Sequence, residues 1–450
     1  MLWLAFEARR GAKGQGTPRD DVEGVGRGSH RVVHEPPAWL AVAPSINVFI
    51  RWDEKGSVFL RMMSGKSTLI AIVFVGSASA GTLRTPLLSL RGGASSTDQK
   101  TLPKAIEKAL ATDDLIKVRG AIESGMVDPS TCLTATGNAM LHVAANQGSL
   151  RCIEYMLADD RSPVDLERFD GVTAAMFAAQ SGHRLCLAVL LRRGADVNAV
   201  NHDGSTPIHF SARQGHADCI NLLQSNGAKL DAKRADGITP LMCAAQSAQP
   251  ECLQLLLSHG ADATLTDNLG ASALHFASRQ GDSECIAALL KCKAAAKLGA
   301  KYTNVQDKVG TAPLHLAADN GHSHCVAALL QGGAAADRKR QDGSTPTHYA
   351  CINGHSECAR LLLAAGADIN ARRADGATAA HFAAQMGHAD CMQLLLLSGA
   401  DVNAQLPGGS TPLDLASATA QGGGGRRSKP SAGQLKCIAL LERAGAESSR

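Results

Sequence analysis

The chain has 450 residues, of which 45% are hydrophobic and 19% are charged, so its composition excludes a fully disordered, collagen-like or multi-span membrane protein. Aromatic residues make up 3%, which disfavours the base-stacking platforms of nucleic-acid binders. Residues 1–103 hold 13 Lys and Arg against 8 Asp and Glu, and the rest of the chain is close to neutral. Bulk electrostatic binding to nucleic acid is therefore disfavoured.

The first segment of the chain, residues 1–61, is rich in Gly and Arg and has no periodic pattern. We expect it to be disordered, or to lie upstream of the true start of translation. Residues 62–103 begin with Met62-Met63 and Lys66, followed by a short apolar run and then Ala78-Ser79-Ala80. A positive start, a short apolar core and a small-residue cleavage site predict a signal peptide that is too short to span a membrane.

The residues after Ala80 contain Ser, Thr and Arg but no acidic residue before Asp98, a composition that resembles a transit peptide. A signal peptide followed by a transit peptide is similar to the two-part presequence of algae with complex plastids. This resemblance implies delivery to a plastid, and the secretory pathway and the cytoplasm stay open as alternatives.

A short pattern recurs nine times in the remainder of the chain, with the form Thr-Pro-x-His in its fullest copies. It begins at Ala139, Thr173, Thr206, Thr239, Ser272, Ala312, Thr345, Thr378 and Thr411. Asp-Gly comes before many copies, Gly-His follows, and a Leu-Leu run ends in Gly-Ala-Asp. Asp-Gly predicts a turn, Thr a helix N-cap, Pro the first helical position and Gly a helix end. Each unit is thus two short helices that must stack on neighbouring units to bury their apolar faces.

This frame resembles the ankyrin repeat family over about residues 134–450. The resemblance implies an all-α repeat solenoid made of helix-turn-helix units with β-hairpin fingers, preceded here by the disordered N-terminal region. It also implies a function in recognising another macromolecule, usually a protein, without chemistry. A monomeric solenoid is expected.

The expected domain boundaries follow from the spacing of the pattern. A capping helix pair occupies 104–133, and the repeats occupy 134–167, 168–200, 201–233, 234–266, 267–306, 307–339, 340–372, 373–405 and 406–450. Repeat 5 has seven additional residues between Leu290 and Asp307, with Lys291, Lys293, Lys297 and Lys301, which we expect to lengthen its second helix or its finger. Repeat 9, or C-terminal cap, contains a Gly-rich stretch at 421–433, predicted to be a flexible loop.

Nine of the thirteen cysteines occupy the same position in their repeats. They are Cys152, Cys186, Cys219, Cys252, Cys285, Cys325, Cys358, Cys391 and Cys437. Helices pack about 8–10 Å apart, too far for a disulfide or a zinc cluster, so these residues are predicted to be buried core thiols. The other four, Cys132, Cys243, Cys292 and Cys351, have no metal-binding spacing, and so many free thiols favour a reducing compartment.

Eleven of the sixteen histidines belong to the Thr-Pro-x-His or the Gly-His position and are interpreted as structural hydrogen-bonding groups. No nucleophile is paired with them, and the sequence Ser64–Thr68 lacks the first glycine of a phosphate-binding loop, since residue 60 is Leu. We predict no catalytic residue, no metal site, no cofactor and no enzymatic activity. A non-catalytic subunit of an enzyme complex remains an alternative.

Two surfaces are predicted to bind a protein partner. The basic finger tips are Arg168, Lys233, Arg234, Arg338, Lys339, Arg340, Arg372 and Arg373. The second surface is the concave face, into which the ends of the first helices are expected to point Arg213, Gln214, Arg279 and Gln280. The tips are either a solvated turn surface or a docking strip for an acidic or phosphorylated segment. Nucleic acid or an anionic membrane is the competing ligand, although no specific nucleic acid is expected. Asn198, Asn370 and Asn403 resemble acceptors of asparaginyl hydroxylation in the family.

Overall fold

The computed structural model describes residues 47–52, 58–64, 67–73, 101–131, 133–158, 161–417 and 429–448. The chain divides into two units, Met1–Gly93 and Ala94–Arg450. The expected cleavage site at Ala78–Ala80, the transit-like residues before 101, Cys132 and most of the Gly-rich stretch at 421–433 lie outside the described residues.

The described residues of the first unit form three antiparallel strands, β1 (Asn47–Trp52), β2 (Val58–Ser64) and β3 (Ser67–Val73), in the order β1-β2-β3. Asn47 is opposite Met63, and Ser64 is opposite Ser67. These segments contain Val, Ile and Phe, which favour strands. The signal-peptide hypothesis for residues 62–80 stays a prediction.

The second unit is a solenoid of stacked helix pairs. The N-terminal pair is Lys104–Ala111 and Leu115–Glu123. The first helices of repeats 1–9 are Met140–Gln147, Ala174–Gln180, Pro207–Gln214, Pro240–Gln246, Ala273–Gln280, Pro313–Asp319, Pro346–Ile352, Ala379–Met386 and Pro412–Ser417. The second helices are Leu150–Met156, Arg184–Arg192, Ala217–Ser225, Pro250–Ser258, Ser283–Lys291, Ser323–Gln331, Ser356–Ala364, Ala389–Leu397 and Ala432–Arg443. First helices pack on first helices and second helices on second helices, which gives two layers.

One continuous core fills the space between the two layers. In repeats 1–8 each second helix buries its cysteine together with the next residue and an apolar residue three positions further on, as Cys219, Ile220 and Leu223 do. This spacing places the three side chains on one face of an α-helix. Burying a side chain such as Leu223 stabilises the fold by about 1.5–3 kcal/mol, so the stacked core supplies most of the folding free energy.

The turns between helices explain why glycine recurs in the frame. Gly354 has φ +79°, and a Cβ atom built on it would lie 2.5 Å from Nδ1 of His388 in the next repeat. Both the left-handed backbone and the close approach of the imidazole ring therefore require glycine at this position. In repeat 4 the same position is Ala248, which has φ +51°.

The seven additional residues of repeat 5 do not lengthen its second helix or its finger. The second helix ends at Lys291 because Cys292 has extended backbone angles (φ −70°, ψ 164°). Two short helices follow, Lys293–Leu298 and Ala300–Thr303, separated by Gly299 at φ +53°. We call residues 292–303 the insertion.

Candidate protein-binding surface

The fingers are tight hairpins that connect each repeat to the next. In repeat 4, the N–H of Arg234 donates to the carbonyl of Ile238 (3.0 Å) and the N–H of Gly237 donates to the carbonyl of Arg234 (2.9 Å). Neighbouring fingers are joined as well, because the N–H of Ala235 donates to the carbonyl of Asp203 in repeat 3 (2.9 Å). The fingers thus form a hydrogen-bonded edge whose tip side chains are held at regular intervals.

Three of the arginines predicted at the finger tips form ion pairs that stabilise the fingers. Arg168 pairs with Asp170, and the pair holds the pKa of the Asp170 carboxyl below its ordinary value. Arg234 pairs with Asp236 (3.1 Å), and Arg373 pairs with Asp342 of the preceding finger (3.4 Å). Their side chains are only 16–25% exposed. Their positive charges are therefore paired within the fold.

Two of these arginines, Arg168 and Arg373, lie over aromatic rings nine residues further along the chain, and Arg340 does the same. The guanidinium carbon is 5.3 Å from the ring centre for Arg168 with Phe177 and for Arg373 with Phe382. Arg340 lies 5.5 Å from the ring centre of Tyr349 and donates to its hydroxyl. Such contacts contribute about 0.5–1 kcal/mol each at partly exposed sites. Arg340 therefore also has a structural role.

The remaining predicted tip residues are exposed and make one or two hydrogen bonds to uncharged groups, or none. Lys233 Nζ donates to the carbonyl of Thr266 (3.2 Å), Arg338 donates to the side chain of Gln306 (2.7 Å), and Arg372 donates to the carbonyl of Gln405 (2.9 Å). Lys339 is exposed, and none of these four cations has an ion pair among the described residues. These four cations are exposed positive charges of the finger edge.

Two finger tips carry apolar residues where five other fingers carry Asp. Leu269 in repeat 5 is 69% exposed and Val309 in repeat 6 is 48% exposed. The fingers that carry them are adjacent, because the N–H of Lys308 donates to the carbonyl of Leu269 (2.8 Å). A partner can bury both side chains while contacting Lys308 and Lys339.

The predicted residues at the ends of the first helices differ in exposure. Gln214, Arg279 and Gln280 are exposed, whereas Arg213 is half-buried and its guanidinium lies near the thiol of Cys243 in repeat 4. Arg234 also lies near this thiol, since Cys243 occupies the position that is aromatic in repeats 7 and 8. Three of the four residues are therefore available to a ligand.

Four of the six Thr-Pro-x-His histidines link adjacent repeats, namely His209, His275, His315 and His348. In repeat 7, Nδ1 of His348 accepts from the N–H of Thr345 (3.1 Å), so Nε2 carries the proton and donates to the carbonyl of Ala377 in repeat 8 (3.3 Å). His209 and His315 make the equivalent bonds. Burial lowers the pKa of His209, His315 and His348 to about 4, so all three are neutral at pH 7.

Two further sets of bonds cross the repeat junctions. Nε2 of each Gly-His histidine donates to a first-helix carbonyl of the preceding repeat, as His388 does to Ile352 (3.0 Å). A third set joins the loops after the second helices, where Asn370 Oδ1 accepts from the N–H of Asp401 (2.9 Å). Asn198 and Asn403 make the same bond to Lys229 and Glu447, so all three amides have structural partners. Hydroxylation of these asparagines stays a prediction.

The junction between repeats 4 and 5 lacks all three of these bonds. Met242 replaces the Thr-Pro-x-His histidine and Asp282 replaces the Gly-His histidine. Thr264 replaces the Asn or Asp that accepts across the other junctions, and its Oγ1 bonds within its own loop to Asp262 (2.7 Å). Within the described residues, no other junction between the nine repeats lacks all three bonds.

The cysteines of the second helices are buried free thiols, as predicted. Burial raises the pKa of Cys186, Cys219 and Cys252 to about 11, so these thiols are protonated at pH 7. Cys292 is half-buried, whereas the other described cysteines are buried. Within the described residues, no group of three His, Cys, Asp or Glu side chains is arranged to hold a metal ion. No helix in that part of the chain is long and apolar enough to cross a membrane.

Comparison with known proteins identifies the class of this solenoid. The model of "Ankyrin repeats (3 copies)" matches in overlapping segments at residues 115–201, 141–234, 186–267, 208–302 and 274–373, and the model of "Ankyrin repeat" matches residues 375–405. These matches cover more than half of the chain, which therefore belongs to the ankyrin repeat family. Ankyrin repeats are generally protein–protein interaction modules, and the family is typically non-catalytic.

Solved structures include a similar ankyrin repeat domain, that of Bcl-3, described as a unique member of the IkappaB protein family. It is 29% identical to this chain, the match covers 53% of this chain and 99% of that domain, and the TM-score is 0.43. No curated protein sequence matches the chain.

Sequence reasoning missed two features of the finger edge. The nine-residue spacing from Arg168 to Phe177, repeated from Arg340 to Tyr349 and from Arg373 to Phe382, is a visible signal for arginines that stack within the fold. The replacement of the Asp of Asp-Gly by Leu269 or Val309 is a signal for an apolar tip.

Proposed function

We propose that the protein is a non-enzymatic scaffold or adaptor that binds another protein through its finger tips and the ends of its first helices. The observation that carries the proposal is the set of exposed finger cations without ion pairs, namely Lys233, Arg338, Lys339 and Arg372, which the finger hydrogen bonds hold in series. Leu269 and Val309 add an apolar contact within the same edge. A segment with acidic or phosphorylated residues and an apolar side chain complements this surface.

Proximity labelling in the native cell tests the proposal. The full chain is compared with a finger variant that carries Arg338→Glu, Lys339→Glu and Arg372→Glu. A control variant carries Arg192→Glu, Lys229→Glu and Lys436→Glu, three exposed charge reversals away from the finger tips. We expect a set of labelled proteins that the finger variant loses and the control keeps. Identical labelling by all three chains would contradict a binding role for the finger tips.

A second candidate function is binding of nucleic acid or an anionic membrane by the same cations. The salt dependence of binding separates it from protein recognition, because release of counterions gives a steep decrease in affinity with rising salt. We expect a shallow dependence for a protein partner with an apolar anchor.

A further inference from the structure

A groove in the described part of the chain lies against the second helices, at the junction between repeats 4 and 5. It is an open groove of about 910 Å³. Its walls are the second helix of repeat 4 (Pro250–Ser258) with the loop after it, the second helix of repeat 5 (Ser283–Lys291), and the insertion. The groove therefore exists because the insertion adds a wall behind this junction.

The basic charges of the groove gather at one end. Lys291, Lys293 and Lys297 line it, are exposed, and have no ion pair among the described residues. Glu284, which also lines the groove, lies seven residues before Lys291 on the same helix, a distance of about 10 Å along the helix axis. An anion in the groove is therefore attracted to the end formed by the insertion.

The other acidic residue of the lining, Asp262, already has partners. Its carboxylate accepts from the N–H of Thr264 (2.8 Å) and from the hydroxyl of Thr264 (2.7 Å). It lowers the net positive charge of the groove but does not pair with the three lysines. The ammonium groups are thus left to bind an external anion.

Small apolar residues form the floor of the groove. Ala287, Ala288 and Ala294 are half-buried and lie beside Leu257. Small side chains allow a backbone to approach closely, and Leu257 offers an apolar contact to an inserted side chain. The insertion is fixed from beneath by Tyr302, whose buried side chain lies next to Cys292. The wall that carries the lysines is thus anchored to the core.

We propose that this groove binds an acidic peptide segment of a partner protein, with an apolar side chain over the alanine floor and carboxylates beside Lys291, Lys293 and Lys297. This site is separate from the finger edge and does not depend on it. A bound segment contacts both second helices of the junction that has no cross-repeat hydrogen bonds from histidine or asparagine. Binding therefore stabilises the stacking of repeat 4 on repeat 5 by mass action.

The test uses a random 12-residue peptide library displayed on phage and selected against the full chain. Counter-selection uses a groove variant with Lys291→Glu, Lys293→Glu and Lys297→Glu. We expect enriched peptides with at least two Asp or Glu residues next to a large apolar residue. A synthetic copy of the enriched peptide should bind the groove variant at least ten times more weakly than the unchanged chain. The finger variant defined above should bind it within twofold of the unchanged chain.

Two additional readouts guard against an unfolded variant. Ala288→Phe fills the floor of the groove without changing its charge and should also weaken peptide binding at least tenfold. The thermal unfolding midpoint is measured for every variant. The half-buried thiol of Cys292 should react more slowly with iodoacetamide when the peptide is bound.

Enrichment of peptides without acidic residues, or equal binding to the groove variant, would overturn the proposal. Protection of Cys292 by decanoate with no enriched peptide would also overturn it, in favour of a small amphiphile.

Discussion

The junction between repeats 7 and 8 and the junction between repeats 4 and 5 are formed by equivalent helices but differ in the hydrogen bonds that cross them. At the 7/8 junction, His348 donates to the carbonyl of Ala377, His388 donates to the carbonyl of Ile352, and Asn370 accepts from the N–H of Asp401. These three bonds tie the first helices, the turns and the loops of the two repeats together. Hydrogen bonds between polar groups thus stabilise the stacking of these two repeats in addition to the apolar core.

Of these interactions, the 4/5 junction has only the apolar core and the hydrogen bonds between neighbouring fingers. The N–H of Asn268 donates to the carbonyl of Asp236 (2.9 Å), and its side-chain amide donates to the carbonyl of Ala235 (2.8 Å). If each missing bond contributes about 1 kcal/mol, this junction is weaker than the 7/8 junction by about 3 kcal/mol. Stability in a solenoid is a sum over neighbouring repeats, so this difference divides the chain into two blocks, repeats 1–4 and repeats 5–9.

The largest expected effect is that of acid. Burial lowers the pKa of His315 and His348 to about 4 in the folded chain, and the ordinary value of about 6.5 applies when it is unfolded. Between these values the unfolded chain binds more protons, so stability is complete above pH 6.5 and falls as the pH falls towards 4. Each such histidine lowers the free energy of unfolding by up to about 3 kcal/mol at pH 4.

The acid effect should be unequal between the blocks. Repeats 5–8 contain four buried histidines at the Thr-Pro-x-His position, whereas repeats 1–4 contain two. Hydrogen exchange at pH 7.5 and pH 5, corrected for intrinsic rates, should show the larger loss of protection in repeats 5–8. An equal loss in both blocks would argue against the histidines as its cause.

The second effect concerns one histidine. His348→Leu should destabilise the protein by about 2–4 kcal/mol, because the N–H of Thr345 and the carbonyl of Ala377 each lose a buried hydrogen-bond partner. The matched control is Met242→Leu, an apolar exchange at the same position of repeat 4, which should cost less than about 1.5 kcal/mol. Urea unfolding followed by circular dichroism measures both, and similar losses in the two variants would refute the distinction between the junctions.

A third change adds a bond to the weak junction. Met242→His places an imidazole beside Thr239, at the position from which His209 and His348 reach the next repeat. We expect a gain of about 1 kcal/mol at pH 7.5. The gain should vanish as the pH falls towards 5, because the added imidazole is then protonated in the unfolded chain but stays neutral when buried, as His209 and His348 do. Thermal unfolding at the two pH values provides the measurement, and a gain independent of pH would point to packing alone.

The smallest effect is expected at the strained turn of repeat 4. Ala248→Gly should stabilise the protein by about 0.5–1 kcal/mol, because a backbone angle of φ +51° is strained for alanine but not for glycine. Gly354→Ala, at the same position of repeat 7, should instead destabilise it, since the new Cβ lies 2.5 Å from Nδ1 of His388. A urea titration of both variants should give opposite signs, and a loss of stability in Ala248→Gly would contradict the strain argument.

The sequence predicts the repeated parts of this molecule because their residues have local causes. Thr206, Pro207 and Gly215 mark the helix ends directly, and the buried cysteines follow from helical periodicity. The roles of Arg168 and Arg373 could not be read in the same way, because a charged turn residue is exposed or stacked depending on an aromatic ring nine residues away. The sequence does not predict the groove, because the groove depends on the extended backbone of Cys292, which turns the insertion away from the axis of the second helix.

Native-state hydrogen exchange followed by mass spectrometry, at pH 7.5 and in increasing urea below the unfolding transition, tests the division into two blocks most directly. The account predicts two cooperative groups of amides that open at different urea concentrations, with the boundary between the second helix of repeat 4 (Pro250–Ser258) and the first helix of repeat 5 (Ala273–Gln280). A single cooperative group, or a boundary at the junction between repeats 7 and 8, would contradict it.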